Sequence, residues 1–360
     1  MKIGLIGLNQ TGKTTLFDLL SGKKDGDSSA ASKSAASTGT GMVPDKRVDF
    51  LSEMYNPKKT TYARIEFTDI AGFSASNGQK SGASKFLNDV RPCDAITHVL
   101  RGFESDAVFH DLDSIDPLRD LILVESEMLL ADMELIERRI ERIKAGKKVT
   151  KELSEEIDFL ERVFDWLEGG GAIRDIRLNE QEETAIRGYS FLTEKPRLAV
   201  LNMSETQWEN KTFPNKDELT LYCEKHNIPI VMLCAQTELE ISRLPDEDKL
   251  VFMDEMGITE PGIYRLSVQG YRLLDLISFF TVGSDEVKAW TIENGLNARK
   301  AAGKIHTDIE RGFIRAEVTK YSDLFEFKSM AKLKEKGLFR LEGKDYTVAD
   351  GDIINFRFNV

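Results

Sequence analysis

The chain opens with Met1-Lys-Ile-Gly-Leu-Ile-Gly-Leu-Asn-Gln-Thr-Gly-Lys-Thr-Thr-Leu-Phe-Asp-Leu-Leu20, and residues 7–14 match the phosphate-loop pattern G-x-x-x-x-G-K-[ST]. The apolar run at residues 3–8 predicts a strand before the loop, and residues 15–20 predict a helix after it. A strand that leads through a glycine-rich turn into a helix directs backbone N–H groups and the positive helix end toward one point. The stretch therefore predicts a polyphosphate-binding loop in an α/β fold.

Within this loop, the residue types indicate how a nucleotide would be held. Lys13 is expected to contact the outer phosphates, and the Thr14 hydroxyl is expected to bind Mg²⁺. The other candidates for nucleotide contact are Asn9, Gln10, Thr11, Gly12 and Thr15. The alternative is a chance glycine-rich turn between a strand and a helix.

Length and composition are typical of a globular protein with two or three domains. The chain has 360 residues, of which 41% are hydrophobic and 31% charged. No run approaches the roughly 20 apolar residues of a membrane-spanning helix, and Met1-Lys2 leads into a strand rather than a signal peptide. The three cysteines, Cys93, Cys223 and Cys234, are odd in number and lack C-x-x-C spacing. We therefore expect reduced thiols, a cytoplasmic location, no membrane contact and a monomer.

The charge of the chain is strongly acidic but uneven. A net charge of −12 argues against uniform electrostatic binding along nucleic acid. Residues 276–360, however, contain 14 Lys and Arg against 13 Asp and Glu, so the remaining chain carries a net −13. We expect this C-terminal segment to be a distinct unit and the best candidate to contact an acidic partner such as RNA.

The order of apolar runs indicates a doubly covered sheet. Helix-like stretches separate short apolar runs at residues 3–8, 63–68, 95–100, 198–201 and 228–233. This alternation predicts a mostly parallel sheet with helices on both faces, and nucleotides bind such sheets beyond the carboxyl ends of the strands. Residues 23–41 are rich in Ser, Ala, Gly and Lys and predict a mobile loop.

A long helical insertion is predicted over residues 117–168. Apolar residues recur there at steps of three and four, in the series Leu121, Val124, Met128, Ala131, Leu135 and Leu153, Ile157, Leu160, Phe164, Leu167. Two helices joined near Gly146 would pair as an antiparallel hairpin along these seams, with residues 169–171 (Gly-Gly-Gly) ending the second helix. Its far end carries Arg138, Arg139, Arg142, Lys144, Lys147, Lys148 and Lys151. This tip is either a solvated charged end or a surface for RNA or a ribosome.

The C-terminal segment has the pattern of a small β-rich fold. Turn signals at residues 343–345 and 350–352 separate the apolar runs 338–342, 346–348 and 353–358. We predict four parts in the chain: residues 1–116 and 191–275 as two halves of one nucleotide-binding domain, 117–190 as the inserted hairpin and 276–360 as the C-terminal domain.

Two further motifs complete the predicted site. Asp69-Ile-Ala-Gly72 follows the apolar run at residues 63–68 and matches the D-x-x-G switch pattern. Asp69 is expected to hold Mg²⁺ through a water molecule, and the Gly72 N–H is expected to bond the γ-phosphate.

At the predicted base site, Asn202-Met203-Ser204-Glu205 stands where GTPases commonly carry N-K-x-D. The extra methylene of Glu205 displaces the carboxylate that would grip guanine, while Asn202 is suited to N7 and the 6-amino group of adenine. The alternative for Asn202 is a helix cap. The second loop around the base is predicted at residues 234–236, which are Cys234, Ala235 and Gln236.

Together these motifs resemble a YchF-type (Obg-like) P-loop ATPase of the GTPase superclass. The resemblance extends through residues 85–88, 93–96, 286–292, 302–308, 311–318 and 340–358. It implies a G domain interrupted by a helical hairpin, followed by a β-rich, ubiquitin-like TGS domain. It also implies ATP hydrolysis and association with the ribosome.

Two positions matter within this resemblance. Phe73 stands near the place where relatives of Ras have a water-orienting Gln, which predicts slow intrinsic hydrolysis. The family's first-switch stretch, which supplies a Thr to Mg²⁺, falls here in Ser/Ala-rich sequence. Substitutes among Ser32, Ser34, Thr38 and Thr40 cannot be distinguished.

The prediction is therefore a Mg²⁺-dependent P-loop NTPase, with Lys13, Asp69 and Gly72 as catalytic residues. ATP is favoured, GTP is possible, and slow hydrolysis is expected to be coupled to ribosome or RNA binding. The alternatives are a GTP-specific GTPase, a nucleotide-gated adaptor with little hydrolysis, and a binding module with a vestigial loop. His98 is expected to be a satisfied core histidine, and no transition metal is expected.

Overall fold

The computed structural model describes residues 1–22, 37–74, 80–105, 107–146 and 148–359, except for the side chains of residues 80–84. The chain forms two compact units. The first consists of Met1–Gly39 and Glu66–Leu266, and the second of Thr40–Ile65 and Ser267–Val360. The four-part division at residues 116, 190 and 275 stays a prediction.

In the N-terminal half of the chain, the described elements are β1 (Lys2–Ile6), α1 (Lys13–Ser21), β2 (Ser37–Val43), α2 (Lys46–Tyr55), β3 (Lys59–Thr61), β4 (Ala63–Asp69), α3 (Lys80–Val90), β5 (Ala95–Arg101), α4 (Pro117–Lys144), α5 (Lys151–Glu168), a 3₁₀ turn (Ile173–Asp175) and α6 (Glu180–Arg187). The elements that follow are β6 (Arg197–Asn202), α7 (Glu205–Asn210), α8 (Lys216–Lys225), β7 (Ile230–Leu233), α9 (Ala235–Ser242), α10 (Asp246–Glu255), α11 (Gly262–Leu273), β8 (Leu276–Thr281), β9 (Glu286–Glu293), α12 (Ala298–Ile305), α13 (Thr307–Arg311), β10 (Phe313–Lys320), α14 (Tyr321–Phe327), α15 (Met330–Glu335), β11 (Arg340–Glu342) and β12 (Asp352–Phe358).

The predicted parallel sheet is confirmed. Its strands follow the order β2-β4-β1-β5-β6-β7, and the pairs β1–β4, β1–β5, β5–β6 and β6–β7 are parallel. Every residue of β5 is buried, as expected for a central parallel strand with helices on both faces. The loop after β1 lies at the carboxyl end of this central region, where nucleotides bind such sheets.

One boundary prediction is wrong at residues 37–41, which the sequence assigned to a loop. They belong to β2, which pairs beside β4 at one end of the sheet. Polar Ser and Thr with small Gly suit such a strand because an edge strand buries little side chain. The remainder of that predicted loop, residues 23–36, lies outside the described residues, and so do the switch candidates Ser32 and Ser34.

The two-helix insertion is confirmed, and so is part of its predicted seam, since the core between the helices includes Leu135, Leu160, Phe164 and Leu167. Leu121, Val124 and Met128 of α4 pack into the cores next to the sheet. On α4 the core between the helices also contains Leu129, Met133, Ile136 and Ile140. These residues pack against Phe159, Leu160, Val163 and Leu167 of α5. A 28-residue helix is about 42 Å long and extends past the sheet. Two adjacent apolar stripes of α4 therefore pack against different elements, one against the sheet and the other against α5.

A buried carboxylate ties the hairpin to the chain that returns to the sheet. Asp132 of α4 accepts bonds from the backbone N–H of Leu192 at 3.0 Å and of Thr193 at 2.7 Å, and from the Thr193 hydroxyl at 2.9 Å. Gly169 follows the last residue of α5, as the triple glycine predicted.

The second unit contains the β-rich C-terminal segment. Its strands follow the order β11-β10-β12-β8-β9-β3, with β10 antiparallel to both β11 and β12. One face carries a core that includes Phe279, Ala302 and Val318. Ile305, the last residue of α12, and Ile309 of α13 pack against this core.

Residues 40–65 contribute to the same unit from a distant part of the sequence. β3 pairs in parallel with β9, and the Arg47 guanidinium lies 2.6 Å from a carboxylate oxygen of Asp350. The Phe50 ring packs against Phe325, with ring centroids 4.9 Å apart. The C-terminal sheet is thus completed by a strand and a helix from the N-terminal half.

Candidate nucleotide-binding site

The loop between β1 and α1 has the backbone geometry of a phosphate cradle. Gln10 and Gly12 have φ angles of 59° and 87°, in the left-handed region. A side chain at Gly12 would overlap the Asn202 amide, so only glycine fits there. As the N-cap of α1, Gly12 also supplies no side-chain acceptor to the first-turn N–H groups. Those groups can therefore bond an external anion.

Lys13 is buried within this cradle. Its Nζ donates to the carbonyl oxygens of Leu8 at 2.5 Å and Gly7 at 3.2 Å. Burial lowers the pKa of Lys13 to about 8, although the nearby carboxylates of Asp69 and Asp111 act in the opposite direction. A poorly solvated ammonium beside phosphate-loop amides favours an anionic ligand.

The two predicted magnesium ligands lie together. The Thr14 hydroxyl donates to Asp69 Oδ2 at 3.1 Å. Both are hard oxygen donors of the kind that Mg²⁺ binds, one at the start of α1 and the other at the end of β4. In the part of the chain that the structure describes, no group of three or more His, Cys, Asp or Glu side chains forms a metal site.

Gly72 and Phe73 pack directly on the loop. A side chain at Gly72 would overlap Asn9 Oδ1 and come within 3.0 Å of Lys13 Nζ, so this glycine permits close approach. The Phe73 N–H donates to the Gly7 carbonyl at 3.0 Å, and the Asn9 N–H donates to the Phe73 carbonyl at 3.1 Å. The ring of Phe73 is buried in the core beside Phe86.

On the base side, Asn202 joins two loops. Its Nδ2 donates to the Thr11 carbonyl at 3.1 Å, and its Oδ1 accepts from the Ala235 N–H at 3.0 Å. Asn202 does not cap the helix that follows it, because Ser204 is the N-cap of α7, but its bond to Ala235 caps the first residue of α9. The structure therefore places Asn202 as a brace between the phosphate loop and the loop after β7.

Glu205 is held by a residue that the sequence did not single out. The Thr237 hydroxyl donates to Glu205 Oε1 at 3.0 Å and lies 2.9 Å from the Cys234 sulfur. A threonine three residues after Cys234 could have been noticed, but only the fold shows that it faces Glu205.

A cavity of about 690 Å³ unites these elements. Its lining includes most of the predicted contact residues, namely Gln10, Gly12, Thr15, Asn202, Met203, Glu205, Cys234 and Gln236. Its other wall is the segment after β5, including Phe103, Glu104 and Val108. Asn9, Thr11 and Ala235 contact the site through the hydrogen bonds described above.

The segment after β5 is a part of the site that the sequence did not predict. Arg101, only 2% exposed, donates to the carbonyl oxygens of Phe103, Val108 and Phe109 at 3.1, 2.9 and 2.9 Å. Asp111 accepts from Asn9 Nδ2 at 3.2 Å, and so joins this segment to the phosphate loop. In the sequence, this part of the site could have been recognised only from an arginine at the end of an apolar run.

His98 is a buried core residue, as predicted, but it is not satisfied. Among the described residues, its Nε2 has no hydrogen-bond partner. Burial lowers the pKa of His98 to about 3, and the positive charges of Lys13 and Arg197 contribute. The ring is therefore neutral at pH 7.

At the hairpin tip, part of the predicted basic surface is neutralised within the hairpin. Arg139 makes a two-pronged bond to Glu156 at 2.8 and 2.9 Å, and Lys144 and Lys151 form ion pairs with Glu161 and Glu155. Within the described chain, Arg138, Arg142 and Lys148 are exposed and form no ion pair, whereas Lys147 lies outside it.

Of the first-switch candidates, Thr38 and Thr40 lie in β2, and the Thr40 hydroxyl accepts from Arg64 Nη1 at 3.1 Å. Cys93, Cys223 and Cys234 are buried free thiols. None of the described helices is both long and apolar enough to span a bilayer.

Comparison with known proteins covers nearly the whole chain. A family described as "50S ribosome-binding GTPase" matches residues 2–130, and the YchF-type GTPase C-terminal family, described as a protein of unknown function (DUF933), matches residues 276–359. The "Ribosome-binding ATPase YchF" of Haemophilus ducreyi is 44% identical over 365 residues, covering 100% of this chain and 99% of that protein. The Bacillus subtilis protein of the same name is 40% identical over 369 residues, covering 99% of each.

A solved structure with the same family name is similar to this chain. The Schizosaccharomyces pombe YchF GTPase superposes with a TM-score of 0.86 at 28% identity, covering 99% of this chain and 97% of that one. The parallel sheet, the phosphate loop with its glycine at position 12 and these matches define the protein class: a P-loop NTPase, a nucleotide-hydrolysing enzyme. The chain belongs to the YchF family.

Proposed function

We propose that this protein binds and slowly hydrolyses a Mg²⁺-bound purine nucleoside triphosphate, with ATP favoured over GTP, and couples this to ribosome or RNA binding. One observation carries the proposal. The phosphate loop, Asn202 and Glu205 line a single cavity of about 690 Å³, and Thr14, which is bonded to Asp69, directly precedes Thr15 of that lining. That volume is in the range of small-molecule sites.

The residues present fit the expected metal and phosphates. Thr14 and Asp69 would hold Mg²⁺, with Asp69 acting through water, and the ion would neutralise charge between the β- and γ-phosphates. Lys13 would exchange the carbonyls of Gly7 and Leu8 for phosphate oxygens, which its low pKa and burial favour. The Gly72 N–H, beside Lys13, would donate a hydrogen bond to the γ-phosphate. This bond would make the conformation of the chain after Gly72 depend on whether the γ-phosphate is present.

Slow hydrolysis follows from Phe73. Its ring lies in the core and has no polar atom to orient water, so the backbone, another side chain or a partner must do so. Single-turnover phosphate release, with and without ribosomes, tests this. An unaided rate equal to the partner-stimulated rate would contradict it, and no release in either case would favour the adaptor alternative.

The preference for ATP rests on Glu205. Its carboxylate is longer than the usual Asp by one methylene, and Thr237 holds it. Asn202 has both ends of its amide bonded to backbone, which still leaves one N–H and one lone pair for adenine. The relatives are named ATPase and the solved structure GTPase, so direct measurement must decide.

Calorimetry with ATP, GTP and their diphosphates tests the base preference. Wild type is expected to bind ATP at least tenfold more tightly than GTP, and Glu205→Asp should reduce that ratio. Glu209→Asp, on the exposed surface of the same helix, is the matched control and should leave it unchanged. A wild-type preference for GTP would instead establish the GTP-specific alternative.

Ribosome binding is proposed from the relatives' names and from the tip cations. The test is nucleotide-dependent ribosome pelleting of wild type, Lys13→Ala and a variant with Arg138, Arg142 and Lys148 all changed to Glu. Changing the exposed Arg177, Arg187 and Lys225 to Glu alters net charge equally and is the control. The tip variant should lose binding and the control retain it. Unchanged, nucleotide-independent pelleting of Lys13→Ala would indicate a vestigial loop.

A further inference from the structure

A second cavity of the first unit lies at the base of the hairpin and shares no lining residue with the nucleotide cavity. Its volume is about 400 Å³. Polar groups line it from α4, the 3₁₀ turn, β6 and α8, and they are Glu125, Arg174, Asp175, Arg197, Tyr222 and His226. Trp166 and Met128 contribute apolar wall.

Arg174 is a largely enclosed cation without an ion pair. Its Nη1 donates to the carbonyl oxygens of Thr193 at 2.9 Å and Lys195 at 3.2 Å. Its Nε is buried and has no hydrogen-bond partner among the described residues, and none of their ion pairs includes it. A guanidinium in such a position leaves donor capacity unused at a cost in free energy.

Arg197 is a second cation at the same cavity. Its side chain is only 10% exposed and is paired with Glu125, while its buried Nε also has no partner in the described chain. The Tyr222 hydroxyl donates to the other oxygen of Glu125 at 2.9 Å. The Glu125 carboxylate is thus bonded to both Tyr222 and Arg197.

Two further carboxylates act electrostatically on Arg174. Asp175 is exposed at the rim, and Asp132, which is not part of the lining, is already bonded to the backbone at Leu192 and Thr193. His226 stacks near Tyr222 with ring centroids 4.3 Å apart, and burial with nearby cations, Arg197 first, lowers its pKa. The lining therefore has two guanidiniums, two carboxylates and an imidazole whose protonation is disfavoured.

We propose that this cavity binds a phosphate monoester, with the guanidiniums of Arg174 and Arg197 holding the phosphate and Trp166 and Tyr222 packing on its uncharged part. Guanidinium forks match tetrahedral and planar oxyanions with parallel N–H bonds. A tetrahedral phosphate presents three oxygens and can accept from both guanidiniums at once, and the aromatic wall favours an ester over free phosphate.

The test uses full-length protein labelled with 5-fluorotryptophan, because Trp166 lines this cavity and Trp208 and Trp290 do not. Replacing each tryptophan with Phe assigns the three fluorine signals. Phenyl phosphate should shift the Trp166 signal saturably at constant ionic strength, with at least tenfold higher affinity than inorganic phosphate or benzoate. The shift must persist in Lys13→Ala, which separates it from the nucleotide site.

Substitutions identify the donors. Arg174→Met should weaken phenyl phosphate at least tenfold, and Glu125→Gln should strengthen it by removing the negative charge that competes for Arg197. Arg177→Met, an exposed arginine nearby, should have no effect. If Arg174→Met does not fold, Arg174→Lys decides, since it keeps the charge but loses the fork and should still weaken binding. No saturable shift, equal affinity for benzoate, or unchanged binding in the Arg174 variant would overturn the proposal.

Discussion

At the scale of single residues, the burial of an ionisable side chain has the largest consequences for chemistry. Lys13 and His98 both lie inside the first unit, 7% and 3% exposed, and both have pKa values lowered mainly by burial. For Lys13 the effect prepares a site for an anion. For His98 it makes folding sensitive to acid.

Lys13 is expected to take up a proton when a triphosphate binds at alkaline pH. Its pKa is about 8, and adjacent phosphate charge raises it because negative charge favours the protonated form. With Mg²⁺ in excess, ATP binding should take up about 0.7 proton at pH 8.5 and about 0.1 at pH 7. Calorimetry in two buffers of different ionisation enthalpy measures this. Equal uptake at the two pH values would contradict it.

His98 is expected to make the protein less stable in acid. The folded pKa of about 3 lies below the ordinary value of 6.5, so between these limits the unfolded chain binds the extra proton. The free energy of unfolding therefore falls as pH decreases from 6.5 toward 3. Between pH 7 and pH 5, wild type should lose about 2 kcal/mol more than His98→Leu in urea unfolding. Above pH 7.5 the difference between them should no longer vary with pH.

At the scale of elements, the long helix α4 connects three parts of the first unit. Its first half packs against the sheet and its second half against α5, while Asp132 caps the backbone at Leu192 and Thr193. The apolar residues of α4 repeat with a helical period that would suit packing against the sheet or against α5. Because an α-helix turns 100° per residue, adjacent stripes can face different neighbours, and periodicity does not say which stripe meets which element.

Removing the Asp132 carboxylate is expected to be costly. Asp132→Ala would leave three buried donors without an acceptor, at a cost of about 3 kcal/mol or more in the free energy of unfolding. Asp158→Ala, an exposed aspartate of α5, is the control and should change stability by no more than about 0.5 kcal/mol. Urea unfolding of both variants provides the comparison. Similar losses would show that the cap contributes little.

At the scale of the whole molecule, the two compact units do not follow the order of the chain. Residues 40–65 belong with the C-terminal segment, through β3, Arg47 and Phe50. The Arg47 guanidinium also lies 5.0 Å from the centre of the Phe280 ring. The second unit therefore depends on a piece from the N-terminal half.

A C-terminal fragment alone is expected to be incomplete. Residues 267–360 without residues 40–65 would expose the face of Phe280 and leave β9 unpaired on one side. A polypeptide that joins residues 40–65 to 267–360 through a flexible linker should unfold at a higher temperature than 267–360 alone. Phe50→Ala in the joined polypeptide should remove part of that gain. Identical melting temperatures would show that residues 40–65 add no stability to the second unit.

Local sequence was sufficient to identify the centre of the candidate site, whose role in nucleotide binding stays a prediction. The phosphate loop, Asp69 and Gly72 were predicted because their spacing depends on neighbours in the chain and on glycines that alone allow such close approach. The parallel sheet was predicted for a similar reason, since the alternation of apolar runs is a local pattern. Membership of a P-loop family followed from these elements.

Only the tertiary structure decided which distant groups complete the site and the units. Asp111 is joined to the phosphate loop, and Thr237 to Glu205, through contacts between residues far apart in sequence. The pairing of β3 with β9 and the meeting of Arg174 and Arg197 at the hairpin base have the same origin. Short-range periodicity records which face of an element is apolar. It does not record which element covers that face, because packing energy depends on the folded neighbours and not on their order along the chain.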